Sequence, residues 1–308
     1  MTPRYSIAID LGGTNLKAAL FDSRYNILDR CLLSTSGFTR KDKLIRAIAR
    51  CIEELARRNR LSKKDLRGAG LGLPGPVDTD RGIVHFFPNI PGWKKVALAA
   101  LLKKRLTIPV FLDNDAKLMA VAEHKLGAAR GLKDCVCLTL GTGVGGGIII
   151  GGRLYRGRDN ASAEIGHMPI NEAGPRCNCG GIACLEAYIG NRRIMKEVRE
   201  IFGRNIPLEE VSRLARGGDR KAQTLWLRVG TRLGIALVGV VNLLNPEAIV
   251  IGGGVAQAGA ILFNRIRQVV LGQAMSVQSK RLKIVKARFG NDAGLIGAAI
   301  MVNERTGK

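Results

Sequence analysis

The sequence predicts an α/β fold built from two similar halves, and three observations carry that expectation. Short β-branched and apolar runs end three times in glycine-rich turns: SIAID before Gly12-Gly13-Thr14, CVCLTL before Gly141-Thr142-Gly143, and AIVI before Gly252-Gly253-Gly254. Amphipathic helical spacing fills stretches between such runs, the alternation of a mixed α/β architecture. The pattern strand, Gly/Thr turn, strand occurs twice, at residues 6–22 and 138–155, which reads as an internal duplication.

Taken in order, Ser6 to Asp10 is an apolar strand ending in a carboxylate, and Leu16 to Asp22 returns as its hairpin partner. The backbone N–H groups of a Gly/Thr turn between strands suit an anion such as phosphate. Leu44, Ile45, Ile48, Ile52 and Leu55 recur at helical spacing, which makes residues 42–59 an amphipathic, core-packing helix. Gly68 to Asp78 reads as a strand followed by a Pro-Gly-Pro turn that positions backbone. Phe87 to Trp93 is a rigid loop from which Asn89 can reach a polar ligand. A helix over 94–106 and a strand over 108–112 follow, with Asp113-Asn114-Asp115 at the strand's C-terminal end. Ligands of open α/β sheets bind just outside such strand ends. A helix-like run, 116–126, begins at once, so Asp115 stands where either a helix cap or a ligand-facing carboxylate would stand.

Cys135 and Cys137 alternate on the strand 135–140 and read as small buried hydrophobes. Residues 191–226 are helical and charged, and 225–245 form a buried helix stopped by Asn245-Pro246. A strand at 248–251 opens onto the glycine triplet, ahead of a helix over 256–270, an arrangement that tolerates an anion or nucleotide. A strand over 282–287 and a small-residue helix over 294–302 close the chain.

His167, Cys177, Cys179 and Cys184 have the donor types and count of a closed tetrahedral zinc site. Four protein ligands leave no open position for water, so the expected zinc is structural.

A chain of 308 residues is long enough for two domains and a sizeable core, and its 39 glycines suit several tight strand-to-loop turns. The first residues do not resemble a signal peptide. The longest uncharged apolar run, Leu233 to Leu244, is too short to span a bilayer. Seven cysteines argue for a reducing compartment rather than a disulfide framework, and the reading is cytoplasmic with no membrane partner. The net charge of +24 comes from Lys and Arg scattered on helix faces such as Arg57, Arg58, Arg60, Lys63 and Lys64. With 5% aromatics and no recognisable nucleic-acid module, the charge reads as a solvated basic surface that attracts nucleotide and phosphate anions.

In their joint order, IDLGGTNLKAAL, GLPGPVD, PNIPGW, LDNDA, LGTGVGGG, EIGH at 164–167, CNCGGIACLE at 177–186 and VIGGG resemble the ROK family of sugar kinases and sugar-responsive repressors. The resemblance covers essentially the whole chain, from about Ile7 to Val302, and within the family looks most like bacterial glucokinases. It implies the two-lobed actin/hexokinase-like (ribonuclease H-like) ATPase fold, with one lobe from residues 1–114 plus 294–308 and the other from 115–293. Asp10, Gly12, Gly13 and Thr14 look like the first phosphate loop, with Asp10 near magnesium. Gly141, Thr142 and Gly143 look like the second phosphate loop, and Gly253 with Gly254 like the adenosine-side turn. Asn89, Asn114, Asp115, Glu164, His167 and Glu186 match sugar-contacting positions, and Asp115 matches the catalytic base. The implied cofactors are ATP, Mg2+ and structural Zn2+, and the implied assembly is a homo-dimer or homo-tetramer.

Two departures stand out. The family usually has Gly where Ala183 stands, and commonly Gly where Ala163 stands. Relatives acting on N-acetylmannosamine can carry Ala at the latter position. The expectation is an ATP-dependent kinase acting on the 6-hydroxyl of glucose. Another hexose as acceptor and polyphosphate as donor stay open. A sugar-sensing repressor is disfavoured, because about five residues precede the first strand where a DNA-binding domain would stand.

Overall fold

The computed structural model describes residues 3–13, 15–35, 40–87 and 93–307, so Thr14 and Asn89 lie outside the described residues. In chain order the elements begin with β1 (Tyr5–Leu11), β2 (Asn15–Phe21), β3 (Ile27–Ser34), α1 (Lys41–Arg58) and β4 (Leu66–Leu73). The two-residue strands β5 (Val77–Asp78) and β6 (Ile83–Val84), then α2 (Leu98–Leu106), β7 (Val110–Asn114) and α3 (Asp115–Leu126), follow. Next come β8 (Cys135–Leu140), β9 (Val144–Ile150), β10 (Arg153–Tyr155), α4 (Leu185–Ile189), α5 (Asn191–Phe202) and α6 (Leu208–Arg216). The chain ends with α7 (Arg220–Leu244), β11 (Ala248–Gly252), α8 (Ala260–Gln273), α9 (Ser276–Ser279), β12 (Lys283–Lys286) and α10 (Ala293–Thr306).

Contacts divide the chain into one unit of residues 1–122, 156–162 and 291–308 and another of 123–155 and 163–290. The first unit therefore keeps the opening turns of α3 and reclaims the short segment 156–162, where the sequence reading drew divisions at 114/115 and 293/294.

The first unit holds a five-stranded sheet in the order β3-β2-β1-β4-β7. β1, β2 and β3 are antiparallel neighbours, whereas β4 and β7 run parallel to β1. Ile7, Ile9, Leu71 and Leu112 from the sheet pack with Leu44, Ile48, Ile52 and Leu55, the apolar stripe of α1. Asp42 in its first turn and Arg57 and Arg58 in its last complement the helix dipole.

The second unit holds a sheet in the order β10-β9-β8-β11-β12 with the same sequence of pairings, two antiparallel steps and then two parallel ones. One topology is thus used twice, each time with a glycine turn after its central strand. α7 fills this unit's core through Leu225, Trp226, Leu233, Leu237 and Val241. Among the described residues α7 is the one helix long and apolar enough to cross a membrane. Its buried face and the pairing of Arg228 and Arg232 with Glu197 account for that composition as a core helix.

Several boundaries differ from the sequence reading. The helix expected over 94–106 starts at Leu98, because Val96 is bridged to Val84 through reciprocal backbone bonds of 2.9 Å. The charged stretch 191–226 breaks into α5 and α6 at Gly203, in a left-handed conformation (φ 70°). α7 then starts at Arg220, capped by the Asp219 side chain, which accepts a bond from the Ala222 N–H at 2.8 Å. The helix expected over 256–270 is a 3-10 turn, Val255–Ala258, followed after Gly259 by α8.

Candidate functional site

In the first unit two strand ends carry the candidate residues. Asp10 lies near the end of β1, opposite Lys17 on β2. The turn beyond it is closed by the Gly12 N–H donating to the Asn15 carbonyl at 2.8 Å. The Lys17 ammonium stands 3.8 Å from Asp10 Oδ2 and donates to the Asn291 carbonyl at 3.3 Å. Burial pushes the Asp10 carboxyl above its ordinary range, Lys17 pulls it down, and Asp292 adds a smaller push upward. A half-buried carboxylate with one cation at 3.8 Å is incompletely neutralised, a chemistry suited to a cation-accompanied ligand.

The end of β7 is more heavily braced. Asp113 is buried, and its Oδ1 accepts from the Thr79 hydroxyl at 3.1 Å and the Asn114 N–H at 2.8 Å. Its Oδ2 accepts from Arg156 Nη2 at 2.6 Å. Asn114 Oδ1 accepts from the Ala116 and Lys117 N–H groups at 3.1 and 3.2 Å, while its Nδ2 donates to the Gly75 carbonyl at 3.3 Å. The capping role that the sequence left open for Asp115 is therefore filled by Asn114. Asp115 is the first helical residue, half-buried, with Oδ1 accepting from the N–H of Ala116 at 2.8 Å. Buried Lys117 donates to the Asn160 carbonyl and Asn160 Nδ2 to Asp80 at 3.4 Å, which together with Arg156 ties the segment 156–162 to this strand end. Sequence reasoning missed Arg156, Thr79 and Lys117. Their partners lie 43, 34 and 43 positions away, a tertiary pairing without a local signal.

In the second unit the turn Gly141-Thr142-Gly143 is closed by the Gly141 N–H donating to the Gly143 carbonyl at 2.9 Å. The Asn191 N–H donates to the Gly141 carbonyl at 2.9 Å, joining α5 to this turn. Glu186 on α4 accepts from the Val144 N–H at 2.8 Å. Gly253 has φ 87°, and a Cβ there would lie 2.2 Å from the Leu140 carbonyl oxygen, so only glycine lets the turn after β11 reach the end of β8. Space opens beyond Gly141 and Gly254, where a Cβ would meet nothing within 4 Å. Two adjacent turns with open backbone at parallel strand ends suit a polyphosphate chain.

Glu164 precedes and His167 ends a single 3-10 turn, Ile165–His167, and their side chains approach to 3.9 Å. His167 Nδ1 faces Cys177 Sγ at 3.6 Å, Cys179 Sγ lies 3.7 Å from Cys184 Sγ, and all four donor atoms fall within 4.8 Å of one another. A tetrahedral zinc with Zn–S near 2.3 Å asks for sulfur separations of about 3.8 Å, so the cluster fits that ion. The Gly181 N–H holds the Cys179 thiol below its ordinary range. Burial pushes Cys177 up and Cys184 up to about 12. Both departures from family glycine lie in left-handed backbone, Ala163 at φ 66° and buried Ala183 at φ 54°.

The chain matches the ROK family over residues 6–305. It is 36% identical over 315 residues to the glucokinase of Thermotoga maritima, spanning 98% of each chain. Among solved structures it is similar to a ROK family glucokinase from Streptomyces griseus in complex with glucose and AMPPNP. The TM-score there is 0.85, with 30% identity over 97% of this chain and 99% of that one. It is also similar to a ROK family transcriptional regulator, a homologue of the Escherichia coli MLC protein. That TM-score is 0.90, with 29% identity over 98% of this chain and 78% of that one.

Proposed function

From a chain that belongs to the ROK family and has the actin/hexokinase-like fold, we propose an ATP-dependent sugar kinase that transfers the γ-phosphoryl group to the 6-hydroxyl of glucose. The observation that carries this reading is the strand end at β7. Asn114 takes the capping bonds and Arg156 with Thr79 locks Asp113, so a half-exposed carboxylate, Asp115, is held on a rigid framework at a helix N-terminus.

Phosphoryl transfer asks a protein to position the acceptor, spread the phosphate charge and take a proton. Asp115 takes the proton of the attacking hydroxyl, help worth about 10²–10⁴ in rate. Backbone amides of the turns at Gly12-Gly13 and Gly141–Gly143, with the Thr14 and Thr142 hydroxyls, hold the phosphates, and Gly253 with Gly254 borders the nucleoside. Asp10 would hold the magnesium that accompanies ATP, a charge that neutralises the β- and γ-phosphates. Asn89, Asn114, Glu164, His167 and Glu186 orient the sugar hydroxyls. His167, Cys177, Cys179 and Cys184 would hold zinc, which supplies rigidity and fixes the turn carrying Glu164. The assembly is a homo-dimer or homo-tetramer.

The test is a coupled ADP-release assay with glucose, mannose, fructose, N-acetylglucosamine and N-acetylmannosamine, comparing ATP with polyphosphate. Glucose with ATP is expected to give the highest kcat/KM. No turnover with any of these sugars would remove the kinase reading. The likeness to the transcriptional regulator favours a second reading, a sugar-responsive regulator, which would bind glucose in the same experiment without nucleotide turnover.

A further inference from the structure

Away from the residues assigned above, the packing of β3 on α1 brings two thiols together. Cys31 lies on β3, half-buried, and its Sγ stands 3.1 Å from the Sγ of buried Cys51 on α1, 20 positions along the chain. Both thiols line a cavity of about 650 Å³. Its mouth is basic. Lys43, Arg46 and Arg50 are exposed along one face of α1 and have no ion-pair partner among the described residues. The acids nearby are occupied, Glu54 by Arg57 at 2.7 Å and Glu53 by Arg105 at 3.3 Å.

Two thiols already in contact need only about 1 Å of approach to reach bonding distance. Fully buried Cys137, by contrast, has no exposed surface. We propose that Cys31 and Cys51 form a reversible disulfide whose oxidant is a small-molecule disulfide carrying carboxylates, attracted by Lys43, Arg46 and Arg50. The site is independent of the kinase reading.

The chemistry balances in two exchange steps. The Cys31 thiolate attacks one sulfur of the small disulfide, a mixed disulfide forms, and one small thiolate leaves and takes a proton from water. Cys51 then gives its proton to solvent and attacks Cys31 Sγ, the Cys31–Cys51 bond forms, and the second small thiol departs. Two protein thiols lose two electrons and two protons, and one small disulfide becomes two small thiols. Cys31 is the half-buried thiol of the pair and Cys51 the buried one, which makes Cys31 the first attacker, and burial holds the Cys51 thiol well above its ordinary range. Capping Cys31 removes its charge and with it part of that rise.

The closed ring includes Thr35, whose hydroxyl donates to the Gly13 carbonyl at 3.1 Å.

The test uses the full chain, purified without chelator and reduced. The protein is incubated with oxidised glutathione or with uncharged hydroxyethyl disulfide, blocked with N-ethylmaleimide and mapped by peptide mass spectrometry. The expected product is a Cys31–Cys51 linked peptide that dithiothreitol reverses, formed at roughly tenfold lower concentration of the charged oxidant than of the neutral one. Arg46→Ala with Arg50→Ala should erase that difference, and Cys31→Ser should abolish the linked peptide while leaving circular dichroism unchanged. Full maleimide labelling of both cysteines after oxidation, or a link confined to Cys179 and Cys184, overturns the site. Equal potency of the two oxidants overturns the role given to the three cations.

Discussion

The Glu186 carboxylate accepts the Val144 N–H at 2.8 Å, and a Cβ on Gly143 would stand 2.3 Å from that same Glu186 oxygen. A residue matched to the sugar thus braces the turn matched to phosphate, and glycine at 143 is what allows the bond. Gly143→Ala is expected to dislodge Glu186 and cost about 1.5–3 kcal/mol, the worth of a hydrogen bond to a charged group. Both the KM for ATP and the KM for glucose should rise. Glu186→Gln keeps an acceptor for Val144, so its melting temperature should stay near wild type while the KM for glucose rises alone. Calorimetry and steady-state kinetics on the two variants separate these effects.

Asp10 is expected to show a conflict between stability and activity. Burial raises its carboxyl, so the native state disfavours the charged form. A group whose folded value is raised contributes stability in acid, below the unfolded value near 3.9, and that contribution is lost as pH rises through the folded value. At pH 7 the charged Asp10 therefore destabilises the fold. Asp10→Asn should raise the melting temperature at pH 7, lose most of that gain below about pH 3.9, and lower kcat sharply. Thermal melts across pH, paired with activity, check both signs. A lower melting temperature for the variant at pH 7 would mean that the Lys17 contact at 3.8 Å outweighs burial.

Metal content gives a third expectation. The protein as purified should hold one zinc per chain, read by elemental analysis. Cys177→Ser should lower both zinc content and glucose affinity, since His167 and Glu164 share one turn. Zinc-free protein with full activity would separate the cluster from the sugar.

Ala163 offers a stability test. A non-glycine residue at φ 66° carries a strain of about 1–2 kcal/mol, partly offset by the backbone freedom that glycine gains on unfolding. Ala163→Gly should raise the melting temperature modestly, and a comparison of glucose with N-acetylmannosamine shows whether the residue also sets acceptor choice.

Much of this architecture is legible in the chain because its cues are local. The hairpin after Asp10 and its counterpart after Leu140 announce themselves by apolar runs broken at glycine, and the shared sheet topology is the three-dimensional form of that duplication. The Cys/His spacing likewise names a cluster that the fold assembles within 4.8 Å. β3 escaped notice because Asp29 and Arg30 interrupt its apolar character. In the structure it alternates half-buried and exposed residues as an edge strand does, but Leu28 and Leu32 face outward and Asp29 inward, so the sequence shows no matching apolar alternation. The capping of α3 was ambiguous because Asn and Asp cap helices about equally well, and Asn114 and Asp115 are adjacent. Arg156 is reached only through tertiary structure, since nothing beside it in the chain announces Asp113.

The most direct test of the kinase account is glucose-dependent ADP release by Asp115→Asn beside wild type, with glucose binding measured calorimetrically on both. The substitution keeps the shape at the start of α3 and removes the negative charge proposed to take the proton. The account requires unchanged glucose affinity and a kcat lower by about 10²–10⁴. A variant that turns over glucose at the wild-type rate would contradict it.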